Sequence, residues 1–164
     1  MFVLSLSHSL DFQSIELRIL AHFSQDELLL KIFCDEDQSD IFVQIACQWM
    51  GLSADEVTDE KREKTKRIVY SVVYGAGSEK IAETLGVTQE KARAFTKSFL
   101  DKFPGIKLFT QTCISQCRKQ GFVTSLLQRR RIIKNTCSGN IQQRLHAERQ
   151  AVNFVIQGNM ITLL

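Results

Sequence analysis

Arg62-Glu-Lys-Thr-Lys-Arg-Ile-Val-Tyr-Ser-Val-Val-Tyr-Gly75 sets Arg62, Lys66, Tyr70 and Tyr74 four residues apart each time. On an α-helix a step of four residues turns about 400°, so the four side chains form one slowly winding stripe, roughly 18 Å from first to last. Two cations lead and two aromatic rings follow. That order suits a nucleoside triphosphate, because cations hold phosphates while rings stack on a base and pack against a sugar. The spacing alone equally describes an ordinary amphipathic helix with its basic residues in water.

Working outward, Thr58 followed by Asp59 and Glu60 is a good start for this basic helix, and Gly75 and Gly77 stop it. Ser53 with Glu56 makes a capping-box pattern upstream. Residues 26–33 and 40–50 read as two short helices, and Ile15, Leu17, Ile19 and Leu20 lead into a helical pattern that runs through Phe23. Residues 2–6 alternate as a strand that ends near Asp11. Downstream, helices are expected over 79–85, 89–103 and 106–119, separated by Gly86 and by Pro104-Gly105. Phe122-Val-Thr-Ser-Leu-Leu and Ile132-Ile133 flank the Arg129–Arg131 run as a hairpin or a pair of short strands, and a last helix covers about 142–157. The fold class is α+β and mainly helical. No repeat, low-complexity tract or linker marks a domain boundary in a chain with a single proline.

The 164 residues suffice for one core, and their net charge of +3 hides an asymmetry. Residues 1–57 carry 10 acids and 2 bases, whereas residues 58–164 carry 8 acids and 19 bases. Only the second part looks like a polyanion binder. Five cysteines (Cys34, Cys47, Cys113, Cys117 and Cys137) form no Cys-x-x-Cys pair and no zinc-type spacing with histidine, which points to reduced, mostly buried thiols in a cytosolic or nuclear protein. His8, His22 and His146 show no partner pattern, so structural or surface roles are their default. The apolar opening lacks a basic region and a cleavage site for a signal peptide. No apolar run approaches the ~20 residues of a membrane span.

Asp11-Phe-Gln-Ser-Ile-Glu-Leu-Arg18 puts one carboxylate at the expected end of a strand, where it can reach a metal, and a second, Glu16, at the start of the next helix. Acids cap helices in most proteins, so the pair alone says little. Together with the 62–75 stripe, however, it resembles the first two polymerase motifs of the family A DNA polymerases, the bacterial polymerase I type. The nearest likeness is to the eukaryotic lesion-bypass branch, the nu type before the theta type. Gly121-Phe-Val-Thr-Ser-Leu-Leu-Gln-Arg-Arg-Arg131 is similar to the family segment that ends in Gly-Arg-Arg-Arg, and Ala147-Glu-Arg-Gln-Ala-Val-Asn-Phe-Val-Ile-Gln-Gly158 to the helix that follows it. Four ordered matches cover most of the chain.

The resemblance implies the fingers and part of the palm of a right-hand DNA polymerase, with palm at about 1–25, fingers at 26–105 and a return to the palm over 106–164. It implies template-directed synthesis from dNTP on primer–template DNA with Mg²⁺, held by Asp11 and the backbone carbonyl of Phe12. Arg62 and Lys66 would grip the β- and γ-phosphates, and Lys66 would protonate the departing pyrophosphate. Tyr70 would pack on the incoming sugar and base, Tyr74 near the templating base, and Glu16 against the sugar 2′ position, excluding ribonucleotides by an unfavourable contact. Arg149, Asn153 and Gln157 form a second four-residue stripe, suited to minor-groove acceptors. Arg129, Arg130 and Arg131 would meet duplex phosphates, with a nuclear-import patch as a compatible role, and Arg67 would add a cation near the nascent pair.

The chain also departs from the family. Gln13-Ser14 inverts the usual order, Phe42 stands where many members have a histidine that reaches the phosphates, Gln128 replaces a glycine, and Ile132-Ile133-Lys134 lacks the usual proline. After Gln157-Gly158 the family continues with small residues, an aspartate and a later His-Asp-Glu motif, where this chain has Asn159-Met-Ile-Thr-Leu-Leu164. The expectation is a nuclear fragment of a repair or lesion-bypass polymerase, without primer extension of its own. Two alternatives stay open: a non-catalytic DNA-binding or interaction fragment, and a product that does not fold stably.

Overall fold

The computed structural model of the protein describes residues 14–34 and 40–163; the expected strand over 2–6, Asp11 and Phe12 lie outside the described residues. Helices α1 (Ile15–Ser24), α2 (Glu27–Cys34) and α3 (Ile41–Met50) lead through a 3₁₀ turn (Ala54–Glu56) to α4 (Asp59–Val73). Helices α5 (Ser78–Leu85), α6 (Gln89–Lys102) and α7 (Pro104–Gln120) follow, then strands β1 (Phe122–Thr124) and β2 (Arg130–Ile132), and α8 (Ile141–Leu163). The strands form an antiparallel hairpin with Val123 opposite Arg131. The α+β, mainly helical class is what the periodicity predicts.

Side chains start the helices where the composition says they should. Asp40 accepts from the backbone N–H of Phe42 at 2.8 Å and of Val43 at 3.3 Å, and so caps α3. Thr58 accepts from the Lys61 N–H at 3.4 Å to open α4. The Ser53 N–H donates to Glu56 at 2.9 Å, and the capping box is complete. Each such cap contributes about 1 kcal/mol.

Most helix boundaries fall within one residue of the sequence expectation, and two helix ends differ by more. Helix α7 begins at Pro104 rather than 106, because proline's fixed φ suits a first helical turn and its missing N–H would be unpaired there anyway. Helix α8 runs to Leu163, past Gly158. That glycine keeps a helical backbone and lies against the Phe154 ring, which an added Cβ would meet at 3.3 Å.

One core joins these elements: α1 packs on α7 and α8, α3 on α4, α5 on α6, and the hairpin on α7 and α8. Leu17, Leu20, Ile45, Ile68, Phe99, Phe103, Ile106 and Ile156 are among its largest fully buried apolar side chains. Phe99 stands at its centre, 4.8 Å from the Phe103 ring and 5.6 Å from that of Trp49, whose indole N–H donates to Ser98 at 3.1 Å. Asp26, 3 % exposed, accepts from the Gly105 N–H at 2.8 Å and ties the α1–α2 turn to the start of α7. Asn159, fully buried, accepts from the Leu126 N–H at 2.7 Å and fixes the hairpin tip to α8.

The expectation of mostly buried thiols needs correction. Cys113 and Cys117 are buried, Cys47 is half-buried, and Cys34 and Cys137 are exposed. Burial pushes the Cys113 thiol up to about 12, with the neighbouring Cys117 adding to the shift. Among the described residues no helix is long and apolar enough to cross a membrane.

Candidate functional site

Three of the four stripe residues lie on α4, and Tyr74 sits one position past its last turn, at φ −87° and ψ 3°. The row continues nonetheless: the Tyr70 and Tyr74 rings stack at 6.1 Å with an interplanar angle of 14°. Phe42, buried in the first turn of α3, lies under the other end of the stripe. Its ring centre is 5.8 Å from the Arg62 guanidinium, 5.8 Å from the Lys66 ammonium and 5.9 Å from the Tyr70 ring. Arg62 also donates through Nε at 3.0 Å and Nη2 at 2.7 Å to Asp40 Oδ2, and it pairs with Glu63. Burial works against the Asp40 carboxylate, yet hydrogen bonds from Arg62, Phe42 and Val43 outweigh it and hold the carboxyl below its ordinary range. Lys66 forms no ion pair or hydrogen bond among the described residues.

Glu16, in the first turn of α1, meets the far end of the stripe. The Tyr74 hydroxyl donates to Glu16 Oε1 at 2.6 Å. Burial, then this bond and the carboxylate's charge, push the Tyr74 phenol up to about 12, with Gln157 on α8 acting in the opposite sense. Burial and the Glu16 charge raise Tyr70 as well. Helix α4 can turn away after Tyr74 because Gly75 takes φ +62°, a conformation that suits a residue without Cβ. An added Cβ there would stand 3.1 Å from Arg149 Cγ, so Arg149 packs on the turn itself. The second stripe therefore converges on the end of the first. Between Arg149 and Gln157, Asn153 carries a buried Oδ1 with no hydrogen-bond partner among the described residues.

Arg129, Arg130 and Arg131 are exposed along the hairpin. Two of them have aromatic anchors: the Arg130 guanidinium lies 4.9 Å from the Phe122 ring centre, and that of Arg131 lies 5.6 Å from the ring of Phe154, the α8 residue after Asn153. Arg67 is exposed and donates to the Thr84 carbonyl at 3.1 Å, in the last turn of α5, where a cation complements the helix dipole. It tethers α4 to α5.

Sequence reasoning missed Asp40 as a partner of the stripe, and for Phe42 it saw only the loss of the family's phosphate-reaching histidine, not the ring's contact with the cations. Asp40 and Phe42, the cap and the first turn of α3, stand 22 and 20 positions upstream of Arg62, and only the contact between α3 and α4 brings them under the cations. The hint available was an aromatic two residues after a helix-capping aspartate. Of the expected metal ligands, Asp11 and Phe12 lie outside the described residues. Among the described residues no three metal-ligating side chains gather.

Residues 2–162 match the model of "DNA polymerase family A". The chain is 36% identical over 149 residues to DNA polymerase theta of Mus musculus, covering 91% of this chain and 6% of that protein. It is 35% identical over 154 residues to DNA polymerase I of Bacillus subtilis (strain 168), covering 94% of this chain and 17% of that one. Among solved structures it is similar to the POL domain of Pol1 from M. smegmatis in complex with DNA primer-template and dNTP, with a TM-score of 0.82 and 34% identity over 89% of this chain and 25% of that chain. The chain thus spans less than a fifth of the curated relatives named.

Proposed function

Because the chain belongs to DNA polymerase family A, we propose that it carries the fingers and part of the palm of a DNA-directed DNA polymerase. Palm would fall at about 1–25, fingers at 26–105, and the return to the palm at 106–164. The observation that carries this reading is the meeting of the two stripes. The Arg62–Lys66–Tyr70–Tyr74 row ends against Glu16, Arg149 and Gln157, so one surface offers cations for a triphosphate, rings for a base and sugar, and donors for a minor groove.

In this reading Arg62 and Lys66 hold the β- and γ-phosphates of an incoming dNTP, and Lys66 gives its proton to the departing pyrophosphate. Tyr70 packs on the sugar and base. Tyr74 lies near the templating base and, through its hydroxyl, keeps Glu16 in place against the sugar 2′ position. Arg149, Asn153 and Gln157 reach purine N3 and pyrimidine O2 acceptors, which every base pair displays, so they test pair geometry without reading sequence. Arg129, Arg130 and Arg131 meet duplex phosphates. Arg67 is given a place near the nascent pair by the family resemblance, while its bond to Thr84 supports a tether between α4 and α5.

Mg²⁺ is the ion this reading requires, with Asp11 and the Phe12 carbonyl as its ligands. It would activate the primer 3′-hydroxyl and neutralise phosphate charge. The likeness to theta supports a role in repair or lesion bypass, and with the arginine run on the hairpin it supports a nuclear location.

The experiment is calorimetric titration of the chain with dATP, with and without primer–template DNA, in Mg²⁺ buffer. Lys66→Ala should weaken dATP binding at least tenfold without changing the helical circular dichroism. Equal affinity in the two proteins would remove Lys66 from the triphosphate site. Incorporation assays with the same proteins separate a polymerase from a DNA-binding module.

A further inference from the structure

Phe42 touches three of the four residues of the α4 stripe. It is 6 % exposed, held in the first turn of α3 by the Asp40 cap, and its ring faces the Arg62 guanidinium and the Lys66 ammonium at the same 5.8 Å. Tyr70 closes a third side at 5.9 Å. For Lys66 the ring is the ordering contact, since no ion pair or hydrogen bond restrains its ammonium among the described residues. A long, half-exposed lysine without such a partner keeps most of its rotamer freedom and loses it only on binding.

We propose that Phe42 is a positioning residue of the triphosphate site: its π face gathers Arg62 and Lys66 side by side before the nucleotide arrives, so that part of the ordering needed to grip the β- and γ-phosphates is already in place. The inference rests on the polymerase reading of the stripe. A phenyl ring has no donor for a phosphate oxygen, so Phe42 acts through the cations alone. At 5.8 Å the two contacts are near the outer limit of useful cation–π attraction, strong enough to bias the side chains and weak enough to let them lean onto phosphates. Asp40 restrains Arg62 from one edge and Phe42 from its face. For Lys66 the ring acts without that help, so loss of the π face is expected to be felt through Lys66 above all. The ring also carries no proton to lose near neutral pH, so it adds no titration to the grip.

The test separates the electrostatics of the ring from its bulk. Pentafluorophenylalanine in place of phenylalanine at position 42 keeps the shape and removes the negative face; Phe42→Leu keeps an apolar side chain and removes the ring; Phe42→Tyr keeps the ring face. Each form of the full chain is titrated with dATP in Mg²⁺ buffer beside the unmodified protein and Lys66→Ala, with Trp49 fluorescence as a check on the packing of α3. The expected result is a loss of about three- to tenfold in dATP affinity for the fluorinated and leucine forms, two contacts of a cation–π size, and binding within twofold of the unmodified protein for Phe42→Tyr. If the fluorinated protein binds as well as the unmodified one while Lys66→Ala remains weak, Phe42 is packing alone and the inference is overturned with the polymerase reading intact. If dATP binding is absent, or indifferent to Lys66, both are overturned.

Discussion

The Tyr74 hydroxyl donates to Glu16 Oε1 at 2.6 Å across 58 positions of sequence, and so fastens the end of the basic helix to the first turn of α1. The bond holds only while the phenol keeps its proton. Burial and the carboxylate raise the phenol to about 12, so the folded state binds this proton more tightly than the unfolded chain, whose tyrosines titrate near 10. The resulting stability is complete below about pH 10 and is lost as pH rises through about 12. Since Tyr70 and Tyr74 are the chain's two tyrosines, absorbance at 295 nm reads them directly. Folded protein should show its phenolate rise displaced above the ordinary value, and Glu16→Gln should bring part of it back down. A rise centred at the ordinary tyrosine value in the folded, unmodified protein would contradict the bond.

The same contact bears on sugar selection. In the proposed site a carboxylate held by Tyr74 would not swing away from a ribose 2′-hydroxyl, so discrimination would depend on both residues. Glu16→Ala should raise ATP affinity relative to dATP by about tenfold, roughly the cost of one unfavourable contact in a binding site. Tyr74→Phe should shift the ratio in the same direction by less, because it frees the carboxylate without removing it. Competition calorimetry with the two nucleotides measures both, and an unchanged ratio in Glu16→Ala would take Glu16 off the sugar.

What the sequence made legible was local. The Thr58 cap, the Ser53–Glu56 box and the 3.6-residue pattern of α4 are written within a few positions of one another, so the helix and its stripe follow from short-range chemistry. The hairpin reads the same way, through Gly121 and the two apolar runs around the arginines. The seat of the cations on Phe42 could not be read that way, because it depends on how α3 lies against α4. The end of α8 was missed for a related reason: past Gly158 the helix is tied to the hairpin tip by the buried Asn159, which accepts from the Leu126 N–H at 2.7 Å across 33 positions.

Of the glycines among the described residues, Gly105 is the most tightly enclosed. A Cβ on this residue would come within 2.8 Å of Asp26 Cα and of the Ser24 carbonyl oxygen, both backbone atoms that cannot step aside alone. Gly105→Ala must therefore push the start of α7 away from the α1–α2 turn and stretch the 2.8 Å bond from its own N–H to the buried Asp26. The expected cost is about 1–3 kcal/mol, the range for overpacking and for a buried polar group left unpaired. Urea denaturation followed by circular dichroism should show a lower midpoint with the same slope. A midpoint unchanged from the parent would mean that the turn and α7 are less tightly joined than these distances imply.

Counterion release makes binding to a duplex fall linearly with the logarithm of salt, with a slope of about 0.9 per neutralised phosphate. Arg130 and Arg131 lean on Phe122 and Phe154, contacts that stiffen both side chains while their guanidinium edges stay exposed on the hairpin. Ordered cations lose less freedom on meeting a phosphate. The chain should therefore bind primer–template DNA in low salt without sequence preference. Replacing Arg129, Arg130 and Arg131 together by alanine should reduce the salt slope by about 2–3, one phosphate for each arginine. Fluorescence anisotropy across a salt series measures that slope. The triple variant should weaken binding about equally on all sequences, since phosphates carry no base identity. A slope unaltered by the triple substitution would place the duplex on another face of the molecule, and the hairpin arginines would then be ordinary solvated charges.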